Sequence, residues 1–113
     1  MKYDVNLVLA QELYQLYCEI RKSLSKVELK GAESSERLIK QELSDCILGI
    51  WCAGYLGYKR VDYRSMLKSM DSCRSSIDIL YNARKVSYIE YLIWSDSIQK
   101  IKENLTDVFR YGN

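Results

Sequence analysis

The residues with the most evident chemical potential lie in the stretch GYLGYKRVDYRSMLK, residues 54–68. Arg60, Arg64 and Lys68 are spaced by four, so on a helix each side chain lies one turn beyond the last on one face. Lys59 adds a fourth cation beside them. Arginine guanidinium groups donate paired hydrogen bonds that suit phosphate oxygens, so the pattern is typical of a surface that binds a polyanion.

Three tyrosines accompany these cations, at Tyr55, Tyr58 and Tyr63. Tyrosine rings can stack on unpaired bases, which favours a nucleic-acid contact. The alternative is a solvated joint between two helices, with the tyrosines packing the corner. Further basic residues extend the patch only if the fold or an oligomer brings them together, and these are Arg21, Lys22, Lys26, Arg84 and Lys85.

Catalytic chemistry finds little support in the sequence. The chain contains no histidine, which excludes a Ser-His-Asp or Cys-His arrangement, the Glu-x-x-His sites of di-metal bundles and histidine-ligated haem. Neither GxxxxGK[ST] nor GxGxxG occurs, so phosphate-cradling loops of these types are missing. Acidic pairs such as Glu33 with Glu36 fall on polar helix faces, where carboxylates are usually solvated surface charge. We therefore expect no enzyme activity and no cofactor.

The four cysteines are Cys18, Cys46, Cys52 and Cys73. They show no CxxC spacing and have no histidine to complete a mixed zinc site, so we expect no structural metal. The N-terminal MKYDVNLVLAQELY lacks the apolar core of a signal peptide, and no apolar run approaches the ~20 residues that cross a bilayer. We expect a cytoplasmic protein with no membrane association, whose cysteines stay reduced.

Length and periodicity predict an all-α protein. A chain of 113 residues with 48% hydrophobic and 28% charged residues is typical of one globular domain, and a net charge of +2 is only weakly basic. Apolar residues recur at three- and four-residue steps in four segments, and there is no proline to interrupt them. The predicted helices span 4–29, 35–57, 62–84 and 88–110. Short connections favour an antiparallel, up-down-up-down four-helix bundle as a single domain, 1–113.

Several residues mark where these helices begin and end. Two serines, Ser34 and Ser35, precede the second periodic run and either can cap it. Gly57 offers the left-handed residue that often closes a helix, and Asp62 is a fitting N-cap for the third. Ser87 and Glu90 stand in the S-x-x-E relation of a capping box, which predicts the start of the fourth helix.

Apolar residues also occur on helix faces that should meet water. At 100° per residue, three helices carry such residues roughly opposite their core faces. They are Leu7, Tyr14 and Cys18 on the first, Leu48, Cys52 and Leu56 on the second, and Ile89, Leu92 and Ile93 on the fourth. Helices that are apolar on two sides usually have two partners, which predicts a homo-oligomer, although scattered surface hydrophobes are the alternative.

Three stretches of the chain resemble a known family: YDVNLVLAQELYQLY, ESSERLIKQELSDCILGIWCA and YRSMLKSMDSCRSSIDILYNARKVSYIEYLIWSDSIQKI. The order and pattern of these stretches, nearly the whole chain, is similar to the accessory variability determinant proteins of diversity-generating retroelements. Proteins encoded in ribosomal-RNA intervening sequences form a related class with the same bundle. One departure is that the family often has a glycine before the last junction, where this chain has Arg84 or Lys85.

The resemblance implies a homopentameric ring of four-helix bundles with a basic outer surface. It also implies a non-catalytic accessory protein that binds the element's reverse transcriptase and its template RNA (or an RNA/DNA hybrid) to support mutagenic copying. Carried to this sequence, Lys59, Arg60, Arg64 and Lys68 form the basic belt, and Arg74 extends it. The related class implies instead an oligomeric scaffold or interaction protein without a nucleic-acid role.

Overall fold

The computed structural model describes residues 5–52 and 61–108. Within these ranges the backbone is helical apart from short connections, and no strand is present. The helices are α1 (Val5–Leu24), α2 (Glu33–Ile50), α3 (Tyr63–Asn82) and α4 (Tyr88–Asp107). The prediction of an all-α, four-helix fold is confirmed for this part of the chain.

One apolar face of each helix contributes to a shared core. Fully or almost fully buried side chains come from all four helices and include Leu9, Leu13, Leu16, Ile20, Ile39, Leu43, Ile50, Met70, Cys73, Ile77, Leu80, Ile98, Ile101 and Leu105. Burying one large aliphatic side chain stabilises a fold by about 1.5–3 kcal/mol. The periodic apolar positions of the sequence therefore supply the main driving force for the bundle.

Packing and hydrogen bonds join the helices into one elongated body of 43 × 23 × 22 Å. Each helix packs against its neighbours in the chain, and α4 also packs against α1, so the four enclose the core. Glu90 in the first turn of α4 accepts a short hydrogen bond from Ser23 in the last turn of α1. Near the other ends of these helices, Asn104 Nδ2 donates to Glu12 Oε1 at 2.8 Å.

Two of the predicted helix starts are confirmed. Asp62 is the N-cap of α3, and its Oδ1 accepts from the backbone N–H of Ser65 at 3.0 Å. Ser87 and Glu90 form the capping box of α4: the Ser87 hydroxyl accepts from Glu90 N–H at 3.1 Å, and Glu90 Oε1 accepts from Ser87 N–H at 3.0 Å. Each bond satisfies a backbone donor that the first turn leaves unpaired.

The α1–α2 connection differs from the sequence-based expectation. Helix α1 ends at Leu24, and the next backbone bonds, such as Lys26 N–H to Ser23 O at 3.2 Å, are those of a tight turn. The N-cap of α2 is Ala32, so the prediction that one of the serines of residues 34 and 35 caps this helix is wrong. Glu33 instead reaches back, and its Oε2 accepts from Gly31 N–H at 2.9 Å. Gly57, the predicted end of α2, lies outside the described residues.

Helix α3 ends in a turn with an unusual residue at its centre. Arg84 has a φ of 61°, the left-handed conformation that glycine usually supplies at this position. Lys85 N–H donates to Leu80 O and Arg84 N–H donates to Tyr81 O, both at 2.9 Å. These two bonds form a Schellman motif, so the turn keeps the geometry of a glycine-terminated helix with arginine in the glycine's place.

Candidate nucleic-acid interface

The basic corner predicted from the sequence is described in part. Arg64 and Lys68 lie in the first two turns of α3, one helical turn apart, and both side chains are exposed. Lys59 and Arg60 lie outside the described residues, as do the tyrosines at 55 and 58. The described part of the predicted belt on this face is therefore the Arg64 and Lys68 pair.

The ring of Tyr63 is not fully available for stacking on a base. Its side chain is partly buried against the core, and its hydroxyl donates a 2.6 Å hydrogen bond to Asn6 Oδ1 of α1. This bond also brings the start of α3 next to the start of α1. Tyr63 thus packs the corner, as the solvated-joint interpretation predicts for it.

Arg74 lies six residues after Lys68, which places it about 120° away around α3. It contacts two residues within the bundle: Nε lies 3.4 Å from Asp78 Oδ1, and a terminal guanidinium nitrogen lies 3.4 Å from the Tyr91 hydroxyl. The guanidinium carbon is also 5.6 Å from the centroid of the Tyr91 ring. Hydrogen bonding to Tyr91 and, to a smaller extent, the hydrogen bond and charge of Asp78 raise the pKa of Arg74. Its cation is thus engaged between α3 and α4 and is less available to an external ligand.

A row of aromatic rings continues from this contact toward the α3–α4 turn. Tyr91 stacks on Tyr81, with ring centroids 4.4 Å apart and planes tilted by 22°. Tyr81 in turn contacts Tyr88, with centroids 6.0 Å apart. Tyr91 and Tyr81 are partly buried and Tyr88 is 59% exposed, so the row runs from the edge of the core to the surface. Periodicity gave no signal for this row, since it depends on pairing α3 with α4.

The remaining basic residues could extend the basic corner only if the fold placed them beside it. Ser23 and Glu90 are hydrogen-bonded, so the last turn of α1 meets the first turn of α4. The connection that follows α1 and the one that precedes α4 therefore flank one end of the bundle. Five of the basic residues named from the sequence lie at this end: Arg21 and Lys22 in the last turn of α1, and Lys26, Arg84 and Lys85 in the two connections. This end is far from Arg64, because the start of α3 lies beside the start of α1. These residues form a second basic region and do not extend the corner.

The residues predicted to form an oligomer interface are mostly at the surface. Six apolar side chains are between 42% and 68% exposed: Leu7, Tyr14, Leu48, Ile89, Leu92 and Ile93. Cys18 is exposed and Cys52 is half-buried, whereas Leu56 lies outside the described residues. Sequence reasoning missed four more exposed apolar residues, Leu38, Trp51, Ile79 and Tyr88. Trp51 follows Leu48 by one helical turn, a spacing that the sequence does contain.

Two further features bear on chemistry. Within residues 5–52 and 61–108, no three cysteine, aspartate or glutamate side chains converge on a point that could hold a metal ion. None of the four described helices has the length and apolarity needed to cross a membrane.

Comparison with known proteins finds no match among family models, curated proteins or solved structures.

Proposed function

We propose that this chain is a non-catalytic, cytoplasmic accessory protein of a diversity-generating retroelement. It binds the reverse transcriptase and the template RNA through a basic outer surface and so supports mutagenic reverse transcription. The four-helix fold and the resemblance of the sequence stretches are in keeping with this role. The observation that carries the proposal is the exposed Arg64 and Lys68 pair on the outer face of α3, because exposed cations one turn apart suit phosphate or carboxylate partners.

The proposed architecture is an antiparallel, up-down-up-down bundle. Two contacts between α1 and α4 support it. Ser23, near the end of α1, bonds to Glu90 at the start of α4, and Glu12, in the first half of α1, bonds to Asn104 near the end of α4. Such crossed contacts fit two helices that run in opposite directions.

The proposed assembly is a ring of five copies. Its support is the exposure of large apolar side chains on α1, α2 and α4, since apolar surface of this kind is stabilised when a partner covers it. Two of these side chains, Tyr14 and Leu48, are about 60% exposed. In a cyclic assembly each copy repeats its basic surface around the axis, which multiplies the phosphate contacts available to one RNA.

The test is capture of the reverse transcriptase from the same source by tagged protein at low and moderate salt. The test variant carries Arg64→Gln and Lys68→Gln. A matched control carries Lys100→Gln and Lys102→Gln, which remove two cations from α4. We expect salt-sensitive capture by wild type and control and loss of capture by the test variant, with all proteins showing the same helical circular dichroism. Equal capture by the test variant would remove this face of α3 from the interaction.

The second candidate is an oligomeric scaffold or interaction protein of the ribosomal-RNA intervening-sequence type. The observation that favours it is that Arg74 is hydrogen-bonded to Asp78 and Tyr91. The basic face therefore has fewer cations available to nucleic acid than the resemblance implies. This candidate predicts partner binding through apolar faces and therefore little dependence on salt. Sedimentation of Tyr14→Lys with Leu48→Lys checks the assembly itself, because each change puts a charge on exposed apolar surface that the proposed oligomer covers.

A further inference from the structure

Charge is unevenly distributed along the bundle. We term one end of the bundle the loop end. It comprises residues 21–40 and 83–90 and includes the α1–α2 and α3–α4 connections. It contains eight lysines and arginines and four glutamates. Their net charge is +4, whereas the whole chain carries only +2. The rest of the chain is therefore net acidic, and the loop end is a basic region that the overall charge hides.

The acidic residues of the loop end are held by local partners. Glu28 accepts from Lys30 N–H at 2.8 Å, Glu33 accepts from Gly31 N–H, and Glu36 forms an ion pair with Lys40. Glu90 is bonded to Ser23 and to Ser87, as described above.

By contrast, seven cations of the loop end form no ion pair with a carboxylate in the described part of the chain: Arg21, Lys22, Lys26, Lys30, Arg37, Arg84 and Lys85. Lys26 lies near enough to Glu90 to help lower the pKa of that carboxyl. All seven are exposed except Lys85, which is half-buried. The loop end therefore offers several cations to an external anion.

An exposed aromatic ring follows two of these cations in the sequence. Tyr88 begins α4, three residues after Lys85, and its exposed ring makes a tilted contact with Tyr81, which in turn stacks on Tyr91. A ring that already contacts a neighbouring ring loses less conformational entropy when a flat ligand stacks on its exposed side. Nucleic-acid bases stack on tyrosine irrespective of their sequence, and duplex RNA keeps its bases covered.

The backbone at Arg84 is a separate observation. A left-handed arginine is less stable than glycine at the same position, because its Cβ crowds the following carbonyl. Strain of this kind is found where the side chain serves a purpose other than stability. Here the strained residue is one of the exposed cations and lies four residues before Tyr88 in the chain.

We infer that the loop end binds single-stranded nucleic acid, with phosphates contacting Lys26, Arg84 and Lys85 and a base stacking on Tyr88. This inference rests on the proposed function, since it names where the RNA of that function lies. It divides the basic outer surface of that function in two: the loop end contacts the RNA, and the Arg64 and Lys68 face contacts the reverse transcriptase.

The first test measures the salt dependence of binding to a fluorescein-labelled oligouridine of about 20 nucleotides. For single strands, each cation that contacts phosphate contributes about 0.7 to the slope of log K against log salt. Lys26→Gln with Lys85→Gln should lower that slope by about 1.4 and weaken binding. Lys100→Gln with Lys102→Gln removes the same charge elsewhere and should leave the slope as in wild type. A wild-type slope in the loop-end variant would overturn the inference.

The second test separates binding from folding. Arg84→Gly removes one cation and also relieves the left-handed strain, so it should raise the Tm by about 2–5 °C while lowering RNA affinity several-fold. Unfolding cannot account for weaker binding by a more stable protein. Arg84→Lys, which keeps the charge, should retain the affinity. Unchanged affinity in Arg84→Gly would exclude Arg84 from the site.

The third test addresses stacking. Tyr88→Leu should weaken oligouridine binding about 5-fold or more with an unchanged salt slope, whereas Tyr88→Phe should bind as wild type. A duplex of the same length should bind less tightly to wild type and should not distinguish these variants. Equal binding of Tyr88→Leu and wild type would overturn the stacking contact.

The two proposals fail separately. In one outcome, reverse-transcriptase capture depends on Arg64 and Lys68, but oligouridine binding does not change when Lys26 and Lys85 are replaced. This result contradicts the loop-end site and leaves the proposed function standing. Absence of both capture and oligouridine binding by wild type contradicts both.

Discussion

The hydroxyl of Tyr91 on α4 donates a 2.7 Å hydrogen bond to Oδ1 of Asp78 on α3. The same carboxylate lies 3.4 Å from Nε of Arg74, so one acceptor joins two donors across the helix pair. All three side chains are partly exposed, which keeps the energy of the ion pair small and leaves the tyrosine contact as the more specific bond.

Replacing Tyr91 by phenylalanine removes this bond and keeps the ring that stacks on Tyr81. We expect a loss of about 0.5–1.5 kcal/mol in the free energy of unfolding, measured by urea denaturation, because Asp78 loses its closest donor. Tyr88→Phe is the matched control, since its ring is mostly exposed. Equal stability of the two variants would show that the Tyr91 bond contributes nothing in solution.

Ser95 presents the opposite situation. Its hydroxyl is buried on α4 and has no hydrogen-bond partner within the described structure. Ser95→Ala should therefore stabilise the protein by about 1 kcal/mol, since it removes an unsatisfied polar group and adds helix propensity. Ser97→Ala, two residues further and half-buried, should gain less. A loss of stability in Ser95→Ala would indicate a partner for this hydroxyl.

Glu90 should make stability depend on acid pH. The hydrogen bond from Ser23, together with the bonds from Ser87 and the charge of Lys26, lowers the pKa of Glu90 in the folded protein. Near and below pH 4.5, the ordinary pKa of a glutamate carboxyl, the unfolded state therefore binds more protons than the folded state. The free energy of unfolding consequently falls as the pH drops through that region.

Glu90→Gln should be less stable than wild type at pH 7 and should lose less stability between neutral and acid pH. Thermal unfolding at a series of pH values measures both effects, with Glu103→Gln, an exposed residue of the same helix, as the control. Parallel pH curves for Glu90→Gln and wild type would contradict the assignment.

The buried cysteines should be chemically silent. Burial raises the pKa of Cys46 to about 11 and that of Cys73 to about 12, so both stay protonated at neutral pH. Thiolate is the reactive form, and we expect alkylation of these two at pH 8 to be about 100-fold slower than that of the exposed Cys18. Mass spectrometry of the labelled native protein, compared with protein labelled in urea, measures the ratio. Fast native labelling of Cys73 would mean that α2 and α3 separate readily.

The same pKa shifts give an alkaline limit. A thiol whose pKa is raised on folding binds its proton more tightly in the folded state. The stability that these two thiols contribute is therefore fully present below about pH 9 and is lost as the pH rises toward the folded pKa values. Cys73→Ala should flatten this alkaline decline relative to wild type.

The core was predictable because periodicity is a local property. Leu13 and Ile98 can be assigned to the interior from their spacing alone, and both are buried. The capping box at Ser87 was predictable for the same reason, since its partners are three residues apart.

The engagement of Arg74 was not predictable, because its partner Tyr91 comes from another helix. The loop end depends on the contact between Ser23 and Glu90, which are 67 residues apart in the chain. The left-handed turn at Arg84 was hidden because only a glycine or asparagine there would have signalled it.

The unequal burial of the two tryptophans gives the protein two independent optical probes. Trp94 is 3% exposed within the bundle, and Trp51 is 47% exposed beside the apolar face that contains Leu48. Emission from Trp94 should be blue-shifted and insensitive to iodide until the helices separate. Emission from Trp51 should be quenched by iodide in a single subunit and protected when another subunit covers that face. A concentration series with iodide therefore distinguishes assembly from folding without a label.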